Sequence, residues 1–198
     1  ALITFMDCAA RFSFGLGLDF SENYKVIGSA FRNGISYWKF VPAFLKLDNG
    51  KGFRSRALSE RESMELGGLF FRAGVRDISW ARAYNAKAKA ILERWHETLD
   101  RQLEVMMPGY RGRGIGDKPV DLHRGEKWHR KIMERKPMTI EEAKAAILYW
   151  IMEIYGKEPH AGLDGRRPLD VWMEGLKDIP AEQRVEDKEL DWLMLDMT

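Results

Sequence analysis

Apolar positions along the chain change period several times, and each change marks an element. Ile3 to Met6 is a short β-compatible run, and Phe12 to Leu18 alternates large and small residues. Asp7-Cys8-Ala9-Ala10-Arg11 separates them as a turn, so the chain opens on a predicted β-hairpin. From Ser21 to Trp38 the residues Val26, Ile27, Ala30, Phe31 and Ile35 recur at helical spacing, with Ser21 as the expected N-cap. Val41 to Leu47 predicts a short buried strand, closed by Asp48-Asn49-Gly50. Lys51 to Glu65 is polar, basic and loop-like, and Leu69 to Val75 is apolar again. Ala88, Ile91, Leu92, Trp95, Leu99 and Leu103 form one stripe of a long helix from Ala86 to Met107, which Pro108-Gly109 stops. Tyr110 to Pro137 is extended, glycine-rich and basic. Thr139-Ile140-Glu141-Glu142 has capping-box form and opens a helix to about Tyr155, with Gly156 expected just past its end. Pro168 to Leu176 predicts a short helix with proline in its first turn. This order predicts an α/β layout, with helices packed on a mixed sheet.

Composition narrows the class. Hydrophobic residues make up 45% and charged residues 31%, the balance of a chain that buries a core. Cys8 is the one cysteine, which excludes an internal disulfide and a zinc site built on thiolates. It fits a reducing compartment, and Cys8 itself is expected to be a small buried residue rather than a nucleophile. No apolar run approaches the ~20 residues of a membrane span and no signal peptide is visible, so a cytoplasmic protein without a membrane partner is expected. The chain begins directly on a strand, without an initiator methionine or polar leader, and reads as a piece of a longer protein. Net charge is +2, but basic residues crowd Arg111 to Lys136 and acidic ones Glu174 to Asp196. That asymmetry suits a polyanion on one surface, or a solvated loop.

Two carboxylates draw attention as chemistry. Two-metal phosphodiester chemistry needs acids projecting from rigid elements into one pocket, and magnesium prefers few protein carboxylates. Asp48 stands at the end of an apolar strand, although Asp-Asn-Gly is also an ordinary turn. Glu93 stands on the long helix beside Arg94, where a solvated glutamate is the plain alternative. Lys51, Arg54 and Arg56 follow Asp48, and Lys87, Lys89 and Arg94 surround Glu93; cations in those places suit DNA phosphates.

Four segments in order carry a family resemblance. Leu47-Asp48-Asn49-Gly50 with Phe53 resembles the second-aspartate strand of retroviral integrases and their transposase relatives. Tyr84-Asn85 precedes Glu93 by the spacing used before the catalytic glutamate, and the stretch from Ala83 to Trp95 looks closest to phage Mu-type transposases. Gly68 to Val75 resembles the strand region between the two acids. Glu158-Pro159-His160-Ala161-Gly162-Leu163-Asp164-Gly165-Arg166-Arg167-Pro168, then Trp172, resembles the close of many transposase cores. Ala90 stands where many relatives have glycine, and Arg167 where many have threonine.

The resemblance covers about residues 1–175 and implies an RNase H-like mixed sheet flanked by helices, with a C-terminal helical extension. Residues 1–108 would be the catalytic core, 109–177 its basic connection and helical part, and 178–198 an acidic tail that starts a small β-barrel. It implies a DDE-type transposase that cuts and joins DNA strands, with Asp48 and Glu93 holding two magnesium or manganese ions. Transposon ends and target DNA would be the partners, bound by a multimer. The family uses three acids, and too few strands separate Asp7 from Asp48 for Asp7 to be the first. The first aspartate and its strand are therefore expected upstream of Ala1, with Asp7 in a shortened fold as the alternative, and this chain alone is expected to be inactive. The rival readings are a non-catalytic DNA-binding or assembly module of the same fold, and a structure-specific nuclease. His123, His129 and His160 share no metal-ligand spacing, and His160 is expected to pack or cap.

Overall fold

The structure, a computed structural model, describes residues 1–61, 67–81, 86–104, 107 and 138–186. Among them the chain is mixed α/β. Strands β1 (Leu2–Asp7) and β2 (Phe12–Leu18) form the hairpin, antiparallel, with a register shift between Phe5 and Met6. Asp7 thus ends the strand instead of opening the turn; its Oδ1 accepts from the Ala10 amide at 2.6 Å and holds the reversal. Helix α1 (Tyr24–Trp38) is capped by Asn23, not Ser21, through the Val26 amide at 3.0 Å. Both residue types cap, and the apolar period beginning at Val26 fits either start.

Strand β3 (Phe44–Leu47) is shorter than expected and pairs in parallel with β4 (Asp77–Trp80). Two short helices lie between them, α2 (Arg56–Ser59) and α3 (Leu69–Arg72). Both correct the sequence reading: α2 falls in the expected loop, and α3 in the segment likened to a strand region. The strand itself, β4, follows at Asp77. Helix α4 (Ala86–Gln102) ends before the expected Met107, so Leu103 of the expected stripe lies past it, while Trp95 and Leu99 of that stripe are fully buried. Helix α5 (Ile140–Tyr149) opens on Thr139 with both capping-box bonds made. It continues as a π-helical turn, Trp150–Ile154, and a 3-10 turn, Tyr155–Lys157. Gly156 lies inside that 3-10 turn and is no αL cap. A Cβ there would sit 2.6 Å from the Ile151 carbonyl oxygen, so glycine serves close packing. Helix α6 (Pro168–Lys177) starts on proline as expected.

Strand β2 is buried on both faces, from Phe12 through Gly17. On one face α1 comes to backbone contact: a Cβ on Gly15 would lie 2.7 Å from the Ala30 carbonyl oxygen. On the other, Trp172 of α6 stacks on Phe12 and Phe14 with centroids 5.8 and 5.7 Å away, and meets Trp38 and Phe40 edge-on. A second aromatic group joins α4 to the α5 segment: Trp95, Trp150 and Tyr155, with the Trp150 indole donating to Gln102 at 2.9 Å. The start of the expected acidic tail turns back on this core. Val41 donates to the Gln183 carbonyl at 2.7 Å, Phe40 bridges Arg184, and Arg76 pairs with Glu182 at 3.0 Å.

Instead of one mixed sheet there are, among the described residues, two two-stranded sheets, β1–β2 and β3–β4. Neither β1 nor β3 has a second strand neighbour among the described residues. The Tyr110 to Pro137 segment, with its cations, Trp128, His123 and His129, and residues 187–198, fall outside the described residues. Cys8 is exposed beside the hairpin turn, which corrects the expectation of a buried thiol.

Candidate active site

A cavity of about 550 Å³ separates the two sheets. Its wall includes every residue from Leu2 to Ala9 and every residue from Phe44 to Asp48. Successive residues of a strand point to opposite faces, so only an edge presents all of them to one space. The cavity therefore lies between the edges of β1 and β3, and Ile91, Leu92 and His96 of α4 close it from another side.

Asp48 lies at the rim, exposed, where β3 ends. Its Oδ1 accepts the Asn49 amide at 2.7 Å, which bends the chain away from the strand. Asn49 fixes that bend. Its side-chain amide donates to the Ala81 carbonyl just past β4, and its Oδ1 accepts from Arg54 at 2.5 Å. Arg54 also stands over the Trp80 ring, 4.6 Å from the centroid. The Asp-Asn-Gly turn is thus tied to both strands of its sheet, and Asp48 is presented from a braced corner. Glu22, between β2 and α1, reaches the same corner. Its Oε1 lies 2.9 Å from where a Cβ on Gly50 would sit. Asp7, Glu22 and Asp48 all line the cavity.

Glu93 is exposed on α4, the helix that closes the cavity, but does not itself line it. The structure thus brings Asp48 and Asp7 to one cavity and places Glu93 on an adjoining helix. Of the expected DNA-contacting cations, Lys51 and Arg94 are exposed. Arg56 is exposed too and pairs with Glu60 at 3.5 Å. Arg54 is engaged with the turn. The side chains of Lys87 and Lys89 lie outside the described residues. Asn49, Glu22 and Trp80 were not singled out by the sequence. Asn49 has a signal there in the turn tripeptide, whereas Glu22 and Trp80 enter only through tertiary contact.

Carboxylate oxygens are the donors a hard divalent cation takes, so Asp48 and Glu93 are chemically suited to one. Among the described residues, however, no group of three or more His, Cys, Asp or Glu side chains is arranged to hold a metal ion. No helix among them is long and apolar enough to cross a membrane.

His160 caps the turn Ala161–Leu163, its Nδ1 accepting the Gly162 amide at 3.0 Å. Burial, then the charges of Arg11 and Arg94, push its pKa below the usual 6.5. Neighbouring Tyr155 donates to the Arg11 carbonyl at 2.9 Å, and burial raises its pKa to about 12 against an opposing effect of Arg11. No family model matches the chain, and no curated protein matches it significantly.

Proposed function

We propose that this chain is part of the catalytic core of a DDE-type transposase, an RNase H-like fold whose central strand fills the gap between β1 and β3. The observation that carries the reading is that gap. Two strand edges, each with one partner only among the described residues, face a common cavity that Asp48 helps to line. One extended segment seated there would pair with both edges and join two small sheets into a single mixed sheet. The same segment would bring its last side chain next to Asp48. An aspartate in that place, outside residues 1–198, completes the acidic set that Asp48 and Glu93 begin.

In this reading Asp48 and Glu93 would hold two magnesium or manganese ions together with that third acid. When bound, the ions lower the pKa of water or a 3′-hydroxyl and offset charge on the phosphodiester undergoing in-line displacement. Asn49 and Arg54 hold Asp48 in a fixed direction. Lys51, with Lys87, Lys89 and Arg94 on the Glu93 helix, draws the DNA backbone towards the acids. Transposon ends and target DNA are the substrates, in the cytoplasm, with several copies assembled on them.

The test is strand cleavage and joining with Mn²⁺ by a protein extended upstream of Ala1, beside its Asp48→Asn, Glu93→Gln and Asp7→Asn versions. Cleavage and joining that both of the first two substitutions abolish support the reading. A folded, DNA-binding but inactive protein, or unaffected variants, replaces it with the binding-module reading. Nicking without joining points to a nuclease of the same fold. Asp7 lines the Asp48 cavity, so it is the specific alternative for the third acid. The Asp7→Asn change would abolish activity only if Asp7 held metal, since the amide oxygen it introduces can still accept the Ala10 N–H.

A further inference from the structure

Two separate segments bring a positive charge and a hydrogen-bond donor together, and the field of a cation on a third segment reaches them. Arg11 comes from the β1–β2 turn, Arg94 from α4, and His160 from the loop before α6. Arg11 is half-buried and held in the left-handed region, φ 56°, while the Tyr155 hydroxyl fixes its carbonyl. Its Nε lies 3.9 Å from where a Cβ on Gly162 would sit, and that point is 3.1 Å from the His160 ring. A side chain on Gly162 would therefore crowd the space between guanidinium and imidazole. Among the described residues neither Arg11 nor Arg94 has a carboxylate partner; Arg94 donates only to the Ala90 carbonyl of its own helix.

The His160 tautomer follows from its bond. Because Nδ1 accepts the Gly162 amide, the proton of the neutral ring sits on Nε2, which is a donor. Besides burial, the field of both arginines reaches this ring and holds its pKa below the usual value. Two guanidiniums without acidic partners and an N–H donor, on three elements, match the oxygens of a phosphate group. Arg56, Arg61, Arg76 and Arg166 each pair with a carboxylate here.

We propose that Arg11, Arg94 and His160 form a phosphate-binding site that takes the sugar-phosphate backbone of a DNA strand running past Glu93. The proposal deepens the transposase reading and rests on it for the identity of the nucleic acid. Arg94 and Glu93 share helix α4 but point about 100° apart round it, so a strand held by Arg94 meets the helix that carries that acid. Phosphate contacts fix register without reading bases, so the site positions the strand and leaves sequence choice elsewhere.

The full 198-residue chain serves for the test. Its affinity for a fluorescent duplex oligonucleotide is measured against salt, and ¹⁵N-labelled histidines report the His160 pKa with and without the duplex. Arg11→Gln and Arg94→Gln are each expected to weaken binding several-fold on any sequence and to reduce the slope of log affinity against log salt by about one. Arg11→Lys and Arg94→Lys should keep the slope. The bound duplex should raise the His160 pKa. Unchanged slopes in both Gln variants overturn the proposal, as does a His160 that ignores DNA while the protein is saturated. A His160 shift produced by inorganic phosphate and not by the duplex makes this a small-anion site, which also overturns it. If Arg11→Gln does not fold, the exposed Arg94→Gln and the His160 shift still decide. Reduced slopes in a cleavage-inactive extended protein refute the transposase reading alone, and cleavage with unchanged slopes refutes this site alone.

Discussion

Single side chains set the chemistry through what holds them. Asp48 is an exposed carboxylate like many others, and Asn49 and Arg54 give it a direction by tying its turn to β3 and β4. His160 works differently, because its cap requires the neutral ring. Protonation at Nδ1 removes the acceptor of the Gly162 amide and adds a third positive charge beside Arg11 and Arg94. The folded pKa is depressed, so the stabilisation is complete above about 6.5 and is lost as pH falls through the lower folded value. Replacing His160 with Asn keeps an acceptor that does not titrate. The difference in unfolding free energy between wild type and His160→Asn is expected to move against the wild type between pH 7 and 5, by under about 1 kcal/mol because the ring is partly solvated. Denaturant midpoints across that range measure it; a constant difference would mean that the cap does not depend on the neutral ring. In the sequence His160 was legible as a packing or capping residue. The convergence on it of Arg11, 149 positions earlier, was not, since no local pattern encodes it.

Elements with their own end signals were legible. Thr139 with Glu142, and Pro168, mark helix starts through bonds and φ preferences that act within four residues. The hairpin was legible from alternation around a short turn. Elements that rest on tertiary contact were not. In β4, Asp77-Ile78-Ser79-Trp80, two apolar residues alternate over only four positions, and the strand exists because β3 pairs with it. Leu69 to Val75 is too short an apolar run for period alone to separate helix from strand. Helix α1 packs closely on β2, where side chains are absent and backbones meet. Gly15→Ala drives a methyl to 2.7 Å from the Ala30 carbonyl, backbone that cannot rotate aside. This substitution is expected to cost about 1–3 kcal/mol, read as a lower denaturant midpoint at unchanged slope. Gly175→Ala, on α6 with nothing near its Cβ, is the control expected to be neutral or slightly stabilising.

For the whole molecule the telling feature is that two sheets share one cavity. The candidate acids Asp48 and Glu93 were legible in the sequence, but the cavity beside Asp48 is a property of the assembled fold. Hydrogen exchange tests it without reference to activity. Amides of β1 and β3 that point into the gap are expected to exchange faster than those joining β1 to β2 or β3 to β4. In a protein extended upstream of Ala1 the gap-facing amides should become protected together, on both edges. Protection of one edge only would mean that the added segment lies along one sheet and does not bridge the two.

The π-helical turn at Trp150–Ile154 has a consequence for how the far end of the molecule is phased. Each residue of a regular helix advances the side-chain direction by about 100°, and the wider turn lets the chain carry a residue more than an unbroken α-helix would between the same two ends. Trp150 can then face Trp95 and Gln102 while Tyr155 swings round to the hairpin and its hydroxyl finds the Arg11 carbonyl. Excising one residue there would leave a straighter helix whose downstream half is turned out of phase. Tyr155, the His160 loop and Trp172 would be offset as a block from the strands they now clasp.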